Sequence, residues 1–220
     1  MVKNKSVRII QVSGESGVGK TDFVKQSANY IQERGIYSDE IKYENLEGIN
    51  SLLTVIARIK GDFPTEQKFY EFYKTKRLIF ILDNCDYLID VCGDACKLSS
   101  FLKKIIDNTH NVKFILITLS VQKLNIGESN LILGPLDTLD AAKFFIFHVE
   151  NISQTKYRDP NILAEHDVIK LVRRTPKNLL LLVQKYEENH FLDELALELK
   201  HGPLMELNTN DISIEKSLGF

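Results

Sequence analysis

A glycine-rich segment that directly follows a short hydrophobic run is the strongest constraint on how this chain folds. Residues 7–12 read VRIIQV, a β-branched run typical of a central parallel strand that is buried on both faces. Residues 14–21 keep the spacing G-x-x-x-x-G-K-[ST], and beyond Thr21 apolar residues recur at helical spacing as far as Gly35. The sequence therefore predicts a strand, a tight glycine loop and a helix in immediate succession.

The residue types in this loop suit the binding of phosphate groups. Glycines allow backbone N–H groups to turn inward around an anion at a helix N-terminus, with no Cβ in the way. Lys20 can place an ammonium between the β- and γ-phosphates, and the Thr21 hydroxyl can ligate magnesium. We therefore expect this P-loop to bind ATP or ADP with Mg²⁺. The expected nucleotide-binding residues in and beside the loop are Gly14, Glu15, Ser16, Gly17, Val18, Gly19, Lys20, Thr21 and Asp22.

Asp83 is the predicted second half of this site. It follows LIFIL at residues 78–82, the most hydrophobic run in the chain, so a buried strand delivers a carboxylate at its C-terminal end. That carboxylate can hold magnesium or its water shell across from Thr21, although a helix N-cap is the alternative role. A second strand and a helix lie between the two motifs, which favours a P-loop ATPase sheet with one strand inserted between the loop strand and the Asp83 strand.

Strands and helices alternate along the first part of the chain. Parallel strands joined by crossover helices form a sheet covered on both faces, and ligands bind beyond the carboxyl ends of the strands. We therefore predict an α/β P-loop NTPase fold with a five-stranded, mostly parallel sheet at residues 1–135, a small helical domain at 136–200 and a loose tail at 201–220. The predicted strands are 7–12, 41–46, 78–82, 112–118 and 131–133, and the predicted helices are 21–35, 52–61, 64–76, one ending at 106, 139–149, 162–173, 176–186 and 191–199.

Composition narrows the class of protein. The formal charge of −2 with 26% charged residues gives no field that would attract nucleic acid or an anionic membrane. The start of the chain does not resemble a signal peptide, and no stretch approaches the ~20 apolar residues of a membrane span. We therefore expect a cytoplasmic chain with no membrane partner and no nucleic-acid partner.

The cysteines are too few and too clustered for a disulfide framework. Cys92 and Cys96 are four residues apart on a predicted helix, a spacing that two metal ligands can use. Because no histidine lies near them and the histidines are scattered without ligand spacing, a metal site is not the favoured interpretation.

This chain lacks the sequence motifs of two other classes of P-loop protein. A GTPase carries an N-K-x-D guanine reader after its fourth or fifth strand, and this chain has none. Nucleoside kinases carry an arginine-rich lid, whereas Arg173 and Arg174 are the one arginine pair in the sequence.

Several segments together resemble the STAND-type signal-transduction ATPases of the NB-ARC sort, and are most similar to their bacterial transcriptional-regulator branch. Residues 79–88 (IFILDNCDYL) resemble that branch's Asp strand LLVLDNCEHL, and residues 114–118 (FILIT) resemble its sensor strand. Residues 134–145 resemble the step into the family's helical domain, and residues 175–179 (TPKNL) stand where the family has G-L-P-L-A. The resemblance implies a nucleotide switch in which Pro176 packs near the adenine.

The sequence departs from the family in two residues expected to act in catalysis and in the length of chain that it spans. Residues 119–121 (LSV) stand where the family has its sensor arginine, and Asn84 stands where members with two acids carry the residue that polarises the attacking water. Asp86 is the acid that can substitute for it, so Asp83 and Asp86 are the expected catalytic residues. The chain also begins at the first strand and ends before any winged-helix domain, as expected of a fragment or a minimal member.

These features favour a regulatory switch in which ATP or ADP sets the relative orientation of the two domains and hydrolysis is slow. The expected partners are other protein domains or further copies of the chain. An AAA-like ATPase acting on nucleic acid is the alternative, because LDNCDYL also resembles origin-recognition ATPases, and Arg173 or Arg174 would then act as a sensor. A degenerate pseudo-ATPase that keeps the loop as a structural anion site is the third hypothesis.

Overall fold

The computed structural model describes residues 7–36, 39–49, 51–86, 95–150, 152, 155–189 and 191–202. Most of the predicted C-terminal tail lies outside these ranges, and so do Cys92 and the side chain of Cys96. The chain divides into two compact units, Met1–Gly134 and Pro135–Phe220. Among the described residues, no helix combines the length and the apolar character that a bilayer span requires.

The first unit is built on a five-stranded sheet with the order β2-β3-β4-β1-β5. Every pairing among these strands is parallel, as predicted. Because β4 lies between β1 and β3, the loop strand and the Asp83 strand are separated by one inserted strand, which confirms that prediction. The strands are β1 (Ile9–Ser13), β2 (Glu40–Asn45), β3 (Leu78–Asp83), β4 (Val112–Thr118) and β5 (Ser129–Ile132).

Four helices among the described residues of this unit accompany the sheet. The alternation of side chains along the strands produces a separate core on each face. One face packs against the helix that follows the loop, through Val24, Ala28 and Ile31. The opposite face packs against the other three helices, through residues such as Val55 and Leu102. Strands β1, β3 and β4 are buried along their whole length, which explains their nearly continuous apolar sequence. The helices are α1 (Lys20–Glu33), α2 (Leu52–Lys60), α3 (Glu66–Tyr73) and α4 (Ala95–Asn108).

Sheet register brings the ends of several strands to one edge. Ser13 at the end of β1 pairs with Thr118 at the end of β4, and Asn45 at the end of β2 pairs with Asp83 at the end of β3. The carboxyl ends of parallel strands are where ligands bind in sheets of this kind. The loop and Asp83 therefore open at the same edge of the sheet.

The second unit is helical, as predicted, and its core includes an edge-to-face contact between Phe145 and Tyr186 with ring centroids 5.5 Å apart. The prediction of one helix over residues 162–173 is wrong, since two short helices occupy this region. His166 causes the break, because its Nδ1 accepts a hydrogen bond from Val168 N–H at 3.1 Å and so caps a new helix. The helices are α5 (Thr138–His148), α6 (Pro160–Ala164), α7 (Asp167–Leu171), α8 (Pro176–Asn189) and α9 (Leu192–His201).

Candidate nucleotide-binding site

The loop between β1 and α1 requires glycine at three positions. A Cβ added to Gly14 would lie 2.3 Å from the carbonyl oxygen of Leu133, so no side chain fits there. Leu133 cannot easily withdraw, because its N–H donates to the Ser13 carbonyl at 2.7 Å. Gly17 and Gly19 have φ angles of 79° and 91°, in the left-handed region that side chains disfavour. The loop therefore depends on close backbone approach at its start and on glycine conformations at its end.

The end of this loop presents backbone donors. The first N–H groups of a helix have no partner within the helix, and Gly19, which directly precedes α1, has no side chain that could cap them. The same helix end carries the positive end of the helix dipole. Glu15, Ser16 and Asp22 are exposed beside it, whereas Val18 is buried and anchors the loop. The loop can therefore receive an anion on its amides.

Lys20 lies across the inside of the loop. Its Nζ donates to the carbonyl oxygens of Gly14 at 2.8 Å and Glu15 at 2.9 Å. Burial lowers the pKa of Lys20, while the charges of Asp86, Asp83 and Glu15 oppose that shift. The ammonium therefore sits where phosphate oxygens can replace two neutral carbonyl acceptors.

Thr21 and Asp83 meet, although 61 residues separate them in the sequence. The Thr21 hydroxyl donates to Asp83 Oδ2 at 2.8 Å, and Asp83 is only 2% exposed. Asp83 Oδ1 accepts the N–H of Asn84 at 2.8 Å. Carboxylate and hydroxyl oxygens are the ligands that Mg²⁺ prefers, so the donor set fits the predicted cation.

Tyr43 is a member of this site that the sequence did not reveal. Its hydroxyl donates to Asp83 Oδ2 at 2.7 Å, and Lys25 Nζ of α1 lies 4.9 Å from the centroid of its ring. Burial and the hydrogen bond to Asp83 raise the pKa of the Tyr43 phenol well above its usual range. Tyr43 lies in a weakly patterned segment, and only the register of β2 against β3 brings it to Asp83.

Asn84, which stands where the resemblance predicts a water-activating acid, and Asp86, the predicted substitute for that acid, are both held by neighbours. Asn84 has a left-handed φ of 58°, and its amide donates to Asn45 Oδ1 at 2.9 Å. Asp86 Oδ1 accepts the N–H of Leu119 at 2.7 Å, which ties it to the segment after β4. Cys85 between them is fully buried, and burial raises the pKa of its thiol, so it packs rather than reacts.

Two buried hydroxyls at the same edge also suit a polar ligand. Ser13 and Thr118 are each 1% exposed, and within the described part of the chain their hydroxyl oxygens have no hydrogen-bond partner. A buried hydroxyl without a partner costs about 1–3 kcal/mol, which a bound water or ligand oxygen can offset. They were not among the residues predicted for the site, because neither belongs to the loop motif.

The remaining predicted contacts belong to the second unit. Pro176 is the first residue of α8, and Thr175 caps that helix by accepting the N–H of Asn178 at 3.3 Å, so proline has a local role there. Arg174 donates to the carbonyl of Leu136 at 3.0 Å, and Arg173 is exposed. Contacts of Pro176, Arg173 or Arg174 with nucleotide stay predictions.

Comparison with known proteins gives structural neighbours only. No protein-family model matches the sequence, and no curated protein matches it either. A Walker-type ATPase of Pyrococcus abyssi superposes with a TM-score of 0.56 at 14% identity, over 91% of this chain and 68% of that one. The ORC1 protein of Aeropyrum pernix, solved in complex with DNA, gives 0.55 at 14% identity, over 88% and 59%. A STAND protein with a tetratricopeptide repeat sensor from Pyrococcus horikoshii gives 0.51 at 16% identity, over 90% and 30%.

These neighbours agree with the predicted fold: the chain has the α/β fold of P-loop NTPases, with a five-stranded parallel sheet. At such identities the likeness concerns the fold and leaves the NB-ARC resemblance a prediction. The chain spans 68%, 59% and 30% of the lengths of the three neighbours.

Proposed function

We propose that this chain binds ATP or ADP with Mg²⁺ at its P-loop and works as a slow regulatory nucleotide switch of the STAND type. The observation that carries the proposal is the 2.8 Å hydrogen bond between the buried Asp83 and Thr21, the last residue of the loop motif. Two side chains from distant segments meet where a nucleotide's phosphates and their cation would lie. An apolar strand that ended in a helix cap would not need this contact.

Phosphate binding in this proposal uses the loop amides and Lys20. The amides at the start of α1 point toward the anion, and the helix dipole adds to their attraction. Lys20 exchanges its bonds to Gly14 and Glu15 for bonds to phosphate oxygens, which are stronger because both partners are charged.

The carboxylates near Lys20 explain why a cation is needed. Asp83, Asp86 and Glu15 all contribute negative charge at Lys20, so a polyphosphate enters against this charge. Mg²⁺, when bound, would be held by Thr21 and Asp83 and would neutralise charge on the phosphates. The protein's contribution is to fix the Thr21 hydroxyl and the Asp83 carboxylate in place before the ion arrives.

Slow turnover follows from the residues around the expected attacking water. Asn84 cannot accept a proton at neutral pH, and residues 119–121 supply no arginine. Loss of one such transition-state contact commonly lowers the rate about 100- to 1000-fold. Asp86 keeps a carboxylate that can accept a proton and is the proposed base, with one oxygen fixed by Leu119. We therefore expect turnover far slower than once per second.

The switch part of the proposal rests on the NB-ARC resemblance. Pro176 is proposed to contact the adenine, and other protein domains or further copies of the chain are the proposed partners. A nucleic-acid partner is the second possibility to test, since two structural neighbours were solved with DNA.

Nucleotide content and turnover test the proposal together. Protein purified without added nucleotide is denatured, and the released nucleotides are separated by chromatography; bound ADP or ATP is expected. Hydrolysis is then measured with and without DNA. A rate of several per second without any partner contradicts the slow switch, and a several-fold increase with DNA favours the nucleic-acid ATPase instead.

A further inference from the structure

The Asp83 carboxylate has little hydrogen-bonding capacity left. Oδ2 accepts from Thr21 Oγ1 at 2.8 Å and from Tyr43 Oη at 2.7 Å, while Oδ1 accepts from Asn84 N–H at 2.8 Å. An ionised carboxylate offers about four lone-pair sites. Described residues therefore occupy three of these sites, and the one that none of them fills lies on Oδ1.

Tyr43 reaches this carboxylate because of the sheet register. It pairs with Ile81, two residues before Asp83, and paired residues of parallel strands face the same side. Two residues span ~6.6 Å along a strand, about the length of a tyrosine side chain. Lys25 lies one turn after Thr21 on α1, and its Nζ lies over the Tyr43 ring, 4.9 Å from the ring centroid. One face of α1 thus supplies Thr21 and contacts the ring of Tyr43, the two residues whose hydroxyls donate to Asp83.

Divalent cations make different demands on such a carboxylate. Mg²⁺ gives up its water reluctantly and usually keeps several water ligands, whereas Ca²⁺ takes about six to eight oxygens and often both oxygens of one carboxylate. With Oδ2 filled by two hydroxyl donors, Asp83 cannot act as a bidentate ligand. Its free Oδ1 lone pair can still accept from water on a hydrated ion.

We propose that Tyr43 determines cation specificity by its hydrogen bond to Oδ2 of Asp83, so that the site favours Mg²⁺ over Ca²⁺. This inference rests on the proposed function. Tyr43 acts through Asp83 and is therefore a positioning residue. Phenylalanine at this position would fill the same space but would free one lone-pair site on Oδ2 for direct ligation, while Thr21 keeps the other.

The test measures ADP affinity by calorimetry in EDTA, in Mg²⁺ and in Ca²⁺. The readout is the ratio of the Kd in Ca²⁺ to the Kd in Mg²⁺. For Tyr43→Phe this ratio is expected to fall about tenfold, the effect of one hydrogen bond to a charged group. Affinity in EDTA should stay within about twofold, because no phosphate contact changes.

Tyr30→Phe is the matched control. Tyr30 belongs to α1, is 53% exposed, and lies ~15 Å along the helix from its start. Its ratio should equal that of the wild type. An unchanged ratio in Tyr43→Phe overturns the inference, and so does an equal loss of affinity in all three conditions, which would indicate a packing role. Failure of the wild type to bind ADP in any condition instead overturns the proposed function itself.

Discussion

Replacing Gly14 with alanine tests the close backbone approach on which the loop depends. The new Cβ would lie 2.3 Å from the Leu133 carbonyl oxygen, against a lower limit of 3.0 Å for such contacts, so the backbone must move by at least about 0.7 Å. Overpacking of this kind costs ~1–3 kcal/mol. Movement of Leu133 also strains its 2.7 Å bond to Ser13, which adds ~0.5–1.5 kcal/mol. We expect Gly14→Ala to lower the free energy of unfolding by about 1.5–4.5 kcal/mol.

Urea unfolding followed by circular dichroism measures this change, and Gly134→Ala provides the control. A Cβ added to Gly134 meets no heavy atom within 4 Å, so its free energy of unfolding should change by less than ~0.5 kcal/mol. Equal stability of the two variants would refute the close approach of Gly14 to Leu133 and with it the described loop geometry.

The remaining predictions concern the residues around Asp83. Asn84→Asp should raise the single-turnover rate of ATP hydrolysis at least ~10-fold with little change in ATP affinity. The reason is that aspartate tolerates the left-handed φ of 58° and can accept a proton. A rate equal to that of the wild type would contradict the proposed cause of slow turnover. Thr118→Val should leave the free energy of unfolding within ~0.5 kcal/mol or raise it, because its buried hydroxyl has no partner in the described part of the chain. Thr109→Val removes a hydroxyl that donates to the Ile105 carbonyl at 2.6 Å, so it should lower the free energy of unfolding by ~1–3 kcal/mol. Equal effects of the two threonine variants would be evidence against an unpartnered Thr118 hydroxyl.

The loop and Asp83 could be predicted because their residues belong to one contiguous pattern each. Strand β3 is uniformly buried and ends on its only carboxylate, so its hydrophobic run marks both the strand and its functional end. The meeting of Thr21 with Asp83 followed from the rule that ligands lie at the carboxyl ends of parallel strands. Here the sequence pattern and the tertiary contact depend on the same residues.

Tyr43 could not be predicted in the same way, because its role depends on register. Strand β2 is half-exposed and its alternation is weak, so nothing in the sequence distinguishes Tyr43 from an ordinary strand tyrosine. The break at His166 was missed for a related reason. The apolar residues alone continue a helical pattern through His166, whereas its hydrogen bond from Val168 N–H begins a new helix there.

The Lys20→Ala substitution tests most directly whether the loop binds nucleotide. Calorimetry with ADP and Mg²⁺ should show affinity about 10- to 100-fold lower than in the wild type, because a charged contact to phosphate is worth ~1.5–3 kcal/mol. Lys103→Ala is the control, since Lys103 is an exposed lysine on α4 paired with Asp107 at 3.2 Å, and it should bind ADP as the wild type does. Circular dichroism should show all three proteins folded. Equal affinity in the wild type and Lys20→Ala would contradict nucleotide binding at this loop.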